Sequence, residues 1–463
     1  MKLRIVAVFS LSVLASALPL VSQVDPGIRP TPANVGNALP SVLANNPLTI
    51  LDFFKDGQSR FKEIDSVSGT IAGEKGFGLG PRFNSRGCAL CHAFPAVGGA
   101  SPRQNPQVTD ANADGAVNII PPFIRPDGPV REARFPFFAD ASGLPITSQP
   151  NGGVEDLFTI AGRIDAMNCT PNVIKQPDFQ SAIDHNNIIF RIPIQTFGDG
   201  LIENVDETDL LLFQQSVIGN PFGIAGTFNH NGNDGTIARF GWKAQNKSLE
   251  IFSGEAYNVE QGVDNELFTQ ERPLPEEDRA SGLPAQCKIN PTPEDHTNFN
   301  TTPVGTPSDA VQFAMFMRLL APIDQAPTAS GGADSIKNGE QLFKTIGCET
   351  CHHKSFTTGP SNITPSLSNA PVLLWSDLEI HHMGTRLADN VSQGTAGGDQ
   401  FRTQPLWGLG LRIFLLHTGE ETDLLKVIAD HSSSGSEANT TVLNFNALTI
   451  PQKQDVLNFL RSL

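Results

Sequence analysis

The chain has 463 residues, 39% of them hydrophobic and 17% charged, with a formal charge of −16. This is the make-up of a soluble globular protein long enough for two or three cores. Gly 42 and Pro 35 without any repeat period predict many loops and exclude a fibrous or disordered chain, while the excess of acid argues against nucleic acid or an anionic membrane as partner and for a basic one.

In chain order the first predicted feature is a processing signal. Lys2 and Arg4 precede an apolar run from Ile5 to Leu20, and Ala15 and Ala17 offer an A-x-A site, so residues 1–22 read as a secretory signal peptide cut between Ala17 and Ser22. Removing Lys2 and Arg4 takes the charge from −16 to −18. No later stretch is apolar enough to span a bilayer, so a periplasmic or secreted protein without a membrane span is expected after cleavage. Retention of the segment as an anchor is the alternative.

Residues 45–325 are expected to form an N-terminal domain. It opens on "NPLTILDFFKDGQSRFKEID" and reaches "RGCALCHAFP" at 86–95. Residues 101–300 are rich in Pro, Asn, Asp and Gly and predict a long, irregular insertion of loops and short strands. Cys169 and Cys287 fall in this region, and in an exported chain a disulfide between them is the expected state. "SDAVQFAMFMRLLAP" predicts an apolar helix ending at Pro322, with Met315 and Met317 in the core, and "DQAPTASGGADS" predicts a linker.

The remaining residues, 332–463, read as a second domain. Ile336, Gly339, Leu342 and Phe343 stand at helical spacing ahead of "IGCETCHHKS", and Val456, Leu457, Phe459, Leu460 and Leu463 form one stripe of a last helix. Two strings also echo each other: "RIPIQTFGDGLIENV" from Arg191 and "RTQPLWGLGLRIFLL" from Arg402 share their Arg, aromatic and Gly-x-Gly positions. A duplicated half accounts for this most simply.

The chemistry lies in the repeated CxxCH. With 6 Cys and 10 His in 463 positions, chance predicts roughly 0.002 such strings, yet there are two. The spacing suits two thiols that add across the two vinyl groups of haem while the adjoining histidine is held under the iron. Cys88, Cys91 and His92, and again Cys348, Cys351 and His352, are therefore expected to carry two covalently bound c-type haems. The competing reading is a zinc site made from the two CxxC pairs, with both histidines spare. The expected fold class is mainly α with extensive loops, in two cytochrome c-like domains, the N-terminal one carrying the insertion.

"GLGPRFNSRGCALCH", "RFGWKAQ", "HHMGTRLAD" and "RTQPLWGLGLRIFLLHTG" resemble the bacterial di-haem oxidoreductases, over Asp52 to Leu463. More distantly the two-haem plan is similar to the di-haem cytochrome c peroxidases and to the di-haem enzyme that matures methylamine dehydrogenase. The resemblance implies haems facing a shared interface, one meeting peroxide and the other relaying electrons from a small redox donor or cytochrome. It also implies a second ligand for the C-terminal iron fourteen positions after His417, which is His431; Met383 is the competitor. His381 and His382 are expected to be structural or hydrogen-bonding groups.

No histidine follows His92 until His185, so an open N-terminal iron is expected, and Glu203 reads equally as the carboxylate that moves a proton on bound peroxide or as an exposed loop glutamate. Arg191 and Arg402 are expected to pair with haem propionates, and Trp242 to relay electrons between the haems or to pack between them. A peroxidase, an electron carrier without its own substrate and a thiol oxidant are the functions in play. The third gains nothing from residues, because haem would consume both CxxC pairs. The second leaves the long insertion unexplained.

Overall fold

In a computed structural model of the protein the described residues are 23–44, 48–110, 112–272, 274, 283–300 and 307–463. The expected signal peptide lies outside them. Helices joined by long loops and short two- or three-stranded sheets make up the fold. Among the described residues no helix is long and apolar enough to cross a membrane.

Each CxxCH is supported by a crossed pair of helices. In the first pair, Leu48–Phe61 crosses Asp309–Leu319. A Cβ on Gly57 would lie 2.4 Å from the carbonyl oxygen of Gln312, so only glycine lets the two backbones come this close. One turn later the Phe61 ring sits 5.0 Å from Phe316 and 5.9 Å from the His92 imidazole. Ser308 caps the second helix by accepting from the Val311 N–H, and the helix ends before Pro322 as expected. Met317 is buried in the core and Met315 packs against it.

The second pair repeats the device. Gly332–Thr345 crosses Ile450–Ser462, and a Cβ on Gly339 would lie 2.0 Å from the Asp455 carbonyl oxygen. Phe343 then sits 5.4 Å from Phe459 and 5.9 Å from His352. Thr449 and Gln452 form a capping box at the start of the last helix. Both halves thus place Gly, then Phe four positions on, beneath the motif histidine. Where Phe343 leads almost at once into Cys348, a looped excursion intervenes between Phe61 and Cys88.

The Arg191 and Arg402 strings also correspond in space. Each arginine ends a short strand, Ile189–Arg191 beside Glu132–Arg134 and Gln400–Arg402 beside Ile380–His382. Gly198 and Gly408 follow in the left-handed region, at φ 76° and 74°, and each starts a helical turn. The strings touch: Ile192 N–H donates to the His417 carbonyl at 2.9 Å, and the Gln195 amide to the Trp407 carbonyl at 2.5 Å.

One core cluster, with Phe54, Phe197, Phe316, Leu374 and Trp407, draws on both sides of residue 325. A second surrounds Phe83 and Phe158 in the insertion and contains the Cys169–Cys287 disulfide, which is formed as expected, with Cα atoms 4.7 Å apart. A third fills the C-terminal helices around Phe343 and Phe459.

Candidate active site

Local geometry turns each motif toward one cavity. Cys88–Cys91 is a single helical turn and Cys348–Thr350 a tighter one, and in both the histidine N–H donates back to the first cysteine carbonyl at 2.9 Å. Cys88, Cys91 and His92 line a cavity of about 160 Å³, and Cys348, Cys351 and His352 another of about 240 Å³. The CxxC pairs therefore belong to separate cavities and do not build one tetrahedral thiolate site.

The imidazoles are set up as ligands. His92 donates from Nδ1 to the Gly99 carbonyl at 3.1 Å and His352 from Nδ1 to the Trp375 carbonyl at 3.2 Å, which leaves each Nε2 as a lone-pair donor. Burial pushes His92 down to about 4 and His352 down to about 3, so both are neutral at ordinary pH. A third imidazole shares this arrangement. His431 donates from Nδ1 to the Val427 carbonyl at 2.6 Å, lines the larger cavity, and lies near enough to His352 to help lower it.

His381 differs, because both of its nitrogens are engaged, Nε2 with Asp377 at 2.9 Å and Nδ1 with Glu437 at 2.8 Å. His382 is half-exposed and bonded to Asp399. Both are hydrogen-bonding groups, as expected. Met383 lines the larger cavity along with His431.

The remaining walls of the two cavities differ in their charged groups: the larger carries Arg402, Arg412 and Glu437, the smaller Arg131, Arg134 and Arg191 beside three glutamates. Arg402 and Arg412 line the larger one, and neither forms an ion pair with a carboxylate. Arg402 donates to the Arg239 carbonyl and to Gln404, Arg412 to the Pro405 and Trp407 carbonyls, and the Nε of each is buried without a partner. Burial pushes both guanidiniums down to about 10. Two buried cations with orphaned donors facing one cavity call for an anionic occupant, and the paired propionates of a haem meet that need.

The smaller cavity is lined by Glu132, Glu255 and Glu260, with Arg134 and Arg191 among them. Burial and the adjoining Glu132 charge raise Glu260 well above the usual carboxylate range. Against its own burial, Glu132 is held low by Arg134 and Arg191. The two carboxyls hydrogen-bond to each other, so the pair keeps one proton on Glu260. The buried Gln245 Oε1 on the same cavity has no partner. Apart from His92, no histidine is among the residues lining this cavity.

Trp242, Ile192, Pro193 and Ile194 line both cavities and form the wall between them, with the Trp242 Nε1 donating to the Ile192 carbonyl at 3.0 Å. Trp242 thus borders both cavities. Two other expectations meet a different geometry. Glu203 lines neither cavity; its carboxylate takes Arg318 at 2.6 Å and the Leu249 N–H at 2.8 Å, at the start of the Leu249–Gln261 helix. Arg191, although it lines the smaller cavity, is held by Asp389 at 2.6 Å and by Gln393, and Asp389 also binds Lys243 at 3.1 Å. Its charge is met by a direct ion pair, whereas Arg402 has only the longer-range charge of the buried Asp199.

The carboxyl wall was missed by sequence reasoning. Glu132 is on an edge of the insertion, and Glu255 and Glu260 are on the Leu249–Gln261 helix. The one signal in the sequence was a helix that buries polar residues at Ser253, Asn258 and Gln261.

A comparison with curated proteins gives no match. Among solved structures, a hydrazine synthase of Kuenenia stuttgartiensis aligns over 96% of this chain and 99% of its own, at 12% identity and a TM-score of 0.33. The diheme peroxidase BthA of Burkholderia thailandensis aligns over 56% of this chain and 86% of its own, at 13% identity and a TM-score of 0.28. A MauG-like protein associated with microbial copper homeostasis aligns over 58% and 89%, at 15% identity and a TM-score of 0.27. The sequence model of the family described as "Di-haem oxidoreductase, putative peroxidase" matches residues 156–463, which takes in the second CxxCH and the whole C-terminal helix pair, and the chain belongs to that family.

Proposed function

We propose that the protein is an exported c-type cytochrome that reduces peroxide, with haem joined by thioether bonds to Cys88 and Cys91 above His92, and to Cys348 and Cys351 above His352. The observation that supports this is the inequality of the two cavities: the larger is lined by His381, His417 and His431 besides His352, of which His431 shares the Nδ1–carbonyl arrangement of the motif histidines, and the smaller by carboxyls with no histidine besides His92. Haem iron in these cavities would supply electron exchange and, where one axial position is left open, a place for peroxide.

The chain's own groups do the rest. Turning hydrogen peroxide into two waters takes two electrons and two protons. Glu260, kept protonated by burial and by Glu132, would give a proton to the reacting peroxide and Glu132 would accept one from it, while the two protons consumed overall enter from solvent through this pair. Gln245 Oε1 accepts a hydrogen bond from the substrate and orients it. Arg402 and Arg412 would hold the propionates of the C-terminal haem, and His431 would be its second protein ligand. Trp242 borders both cavities and would be the ring through which electrons pass between them. A small redox protein or cytochrome returns the electrons, and the acidic surface favours a basic one.

The test is the resting spectrum of protein made in an export-competent host with haem maturation. Two haems that survive acid-acetone extraction are expected, one high-spin and reactive toward peroxide, one low-spin. Two permanently low-spin haems that ignore peroxide in every redox state would make the protein an electron carrier without a substrate.

A further inference from the structure

The chain contains 30 phenylalanines, three tryptophans and one tyrosine. Nearly every aromatic packing position is thus given to a ring that resists oxidation, and the exception is placed with care. Tyr257 is 3% exposed, lies on the Leu249–Gln261 helix and lines the smaller cavity beside Cys88. Its ring packs edge-on against Phe313 at 5.1 Å, a contact that phenylalanine would make equally well.

What phenylalanine would lack is the hydroxyl, which donates to Asp65 Oδ2 at 3.3 Å. Asp65 is itself 3% exposed and also accepts from the Gln261 side-chain amide, and Gln261 Oε1 in turn lies 3.3 Å from Cys88 Sγ. A polar path therefore runs from the phenol through Asp65 to Gln261 and ends beside the Cys88 sulfur. On its other side the hydroxyl reaches Asp309, a partly exposed carboxylate that pairs with Arg60 at 3.3 Å.

We propose that Tyr257 is a redox site of the protein, a phenol that yields one electron to the oxidised centre of the smaller cavity while Asp65 takes its proton. The inference rests on the reading of that cavity as a haem site and adds a protein-based carrier to it. One electron leaves the phenol ring and the O–H bond breaks; the proton passes to Asp65 Oδ2. A neutral tyrosyl radical and a protonated carboxyl result. Hydrogen peroxide is the oxidant, and Tyr257 supplies one of the two electrons that its reduction needs. An external one-electron donor later refills the ring, and Asp65 gives the proton back. Burial raises Asp65, so the fraction of molecules in which it is ionised and can take the proton grows with pH. The hydrogen bond is already in place, so no rearrangement has to precede the transfer.

A single tyrosine makes the test unambiguous. Di-haem protein grown on ring-deuterated tyrosine is mixed with hydrogen peroxide, freeze-quenched and examined by electron paramagnetic resonance. A radical is expected whose hyperfine splitting collapses on deuteration and which Tyr257→Phe abolishes while haem content stays normal. Asp65→Asn should slow its appearance about 10²-fold. If peroxide changes the haem spectrum but the radical ignores both the label and Tyr257→Phe, the proposal falls and the peroxidase reading stands. If peroxide leaves the haems untouched, the peroxidase reading falls, and flash-quench oxidation by a ruthenium(III) polypyridyl complex decides the tyrosine. A labelled radical under those conditions upholds the site, and its absence removes it.

Discussion

The two cavities begin alike and end differently. Beneath each motif a glycine lets two helices touch and a phenylalanine one turn later meets the histidine, at the same 5.9 Å ring separation. Above the motif the likeness stops: one cavity faces His431, Met383 and two unmatched arginines, the other Glu132, Glu255, Glu260 and Gln245. The floor of a cavity decides what it holds, and the wall decides what the occupant does. The floor comes from contiguous sequence and helix crossing, whereas the wall is assembled from segments far apart in the chain.

The difference is broken most severely by removing the proton from the carboxyl wall. Glu260→Gln keeps the shape of the side chain and its capacity to donate a hydrogen bond, but it cannot release a proton. Peroxide reaction is expected to slow by about 10²-fold or more, with both haems still bound. Because Glu260 must be protonated to act, the wild-type rate should also fall on the alkaline side, as pH passes its raised pKa. Stopped-flow spectra across pH check both points. A full rate in the variant would leave the wall without a chemical role.

A smaller effect, confined to the other cavity, follows from its second imidazole. His431→Ala should convert a low-spin C-terminal signal to high-spin with haem content near normal, and Met383→Leu should leave the spectrum unchanged. The Nδ1–carbonyl bond that His431 shares with His92 and His352 is the reason for choosing it over the thioether. If the methionine variant alone changes the spectrum, the assignment reverses, yet the contrast between a doubly ligated and an open cavity survives.

How far these features are visible in the sequence depends on how local they are. The CxxCH strings, the last helix, the apolar helix ending before Pro322 and the stripe through Gly339 and Phe343 are encoded within a few turns of chain, and they were legible. The Cys169–Cys287 bridge was legible from composition and the export signal, although its closure over 118 residues is a property of the fold. The Arg191–Arg402 echo was legible as a repeat, but not the fate of its two arginines. Asp389, which neutralises Arg191, lies 198 residues away from it, while Arg402 forms no ion pair among the described residues and feels Asp199 only at longer range. The carboxyl pair was hidden for the same reason, since Glu132 and Glu260 meet only after a strand of the insertion has packed beside the Leu249–Gln261 helix. Glu203 drew attention through its place in the repeat, and a repeat position says nothing about which cavity, if any, a side chain reaches.

That last residue supplies the finest test of the comparison. Glu203 stands at the corresponding place in the N-terminal string and carries the right functional group, so a role in moving protons is a fair expectation from sequence. Its carboxylate instead takes Arg318 through Nε at 2.6 Å and Nη2 at 3.1 Å, and accepts the Leu249 N–H at the positive end of a helix. Glu203→Gln removes the charge but leaves one acceptor oxygen, so it should cost about 1–2 kcal/mol of stability, the worth of a charge-assisted hydrogen bond in a partly buried setting. The rate with peroxide should match the wild type. Thermal unfolding and stopped-flow on the same preparation separate the two. A stability loss at full rate leaves Glu203 as the clamp between two helices that support the smaller cavity. A fall in rate of about tenfold or more without loss of stability would return the proton-moving role to it and take that role from the Glu132–Glu260 pair.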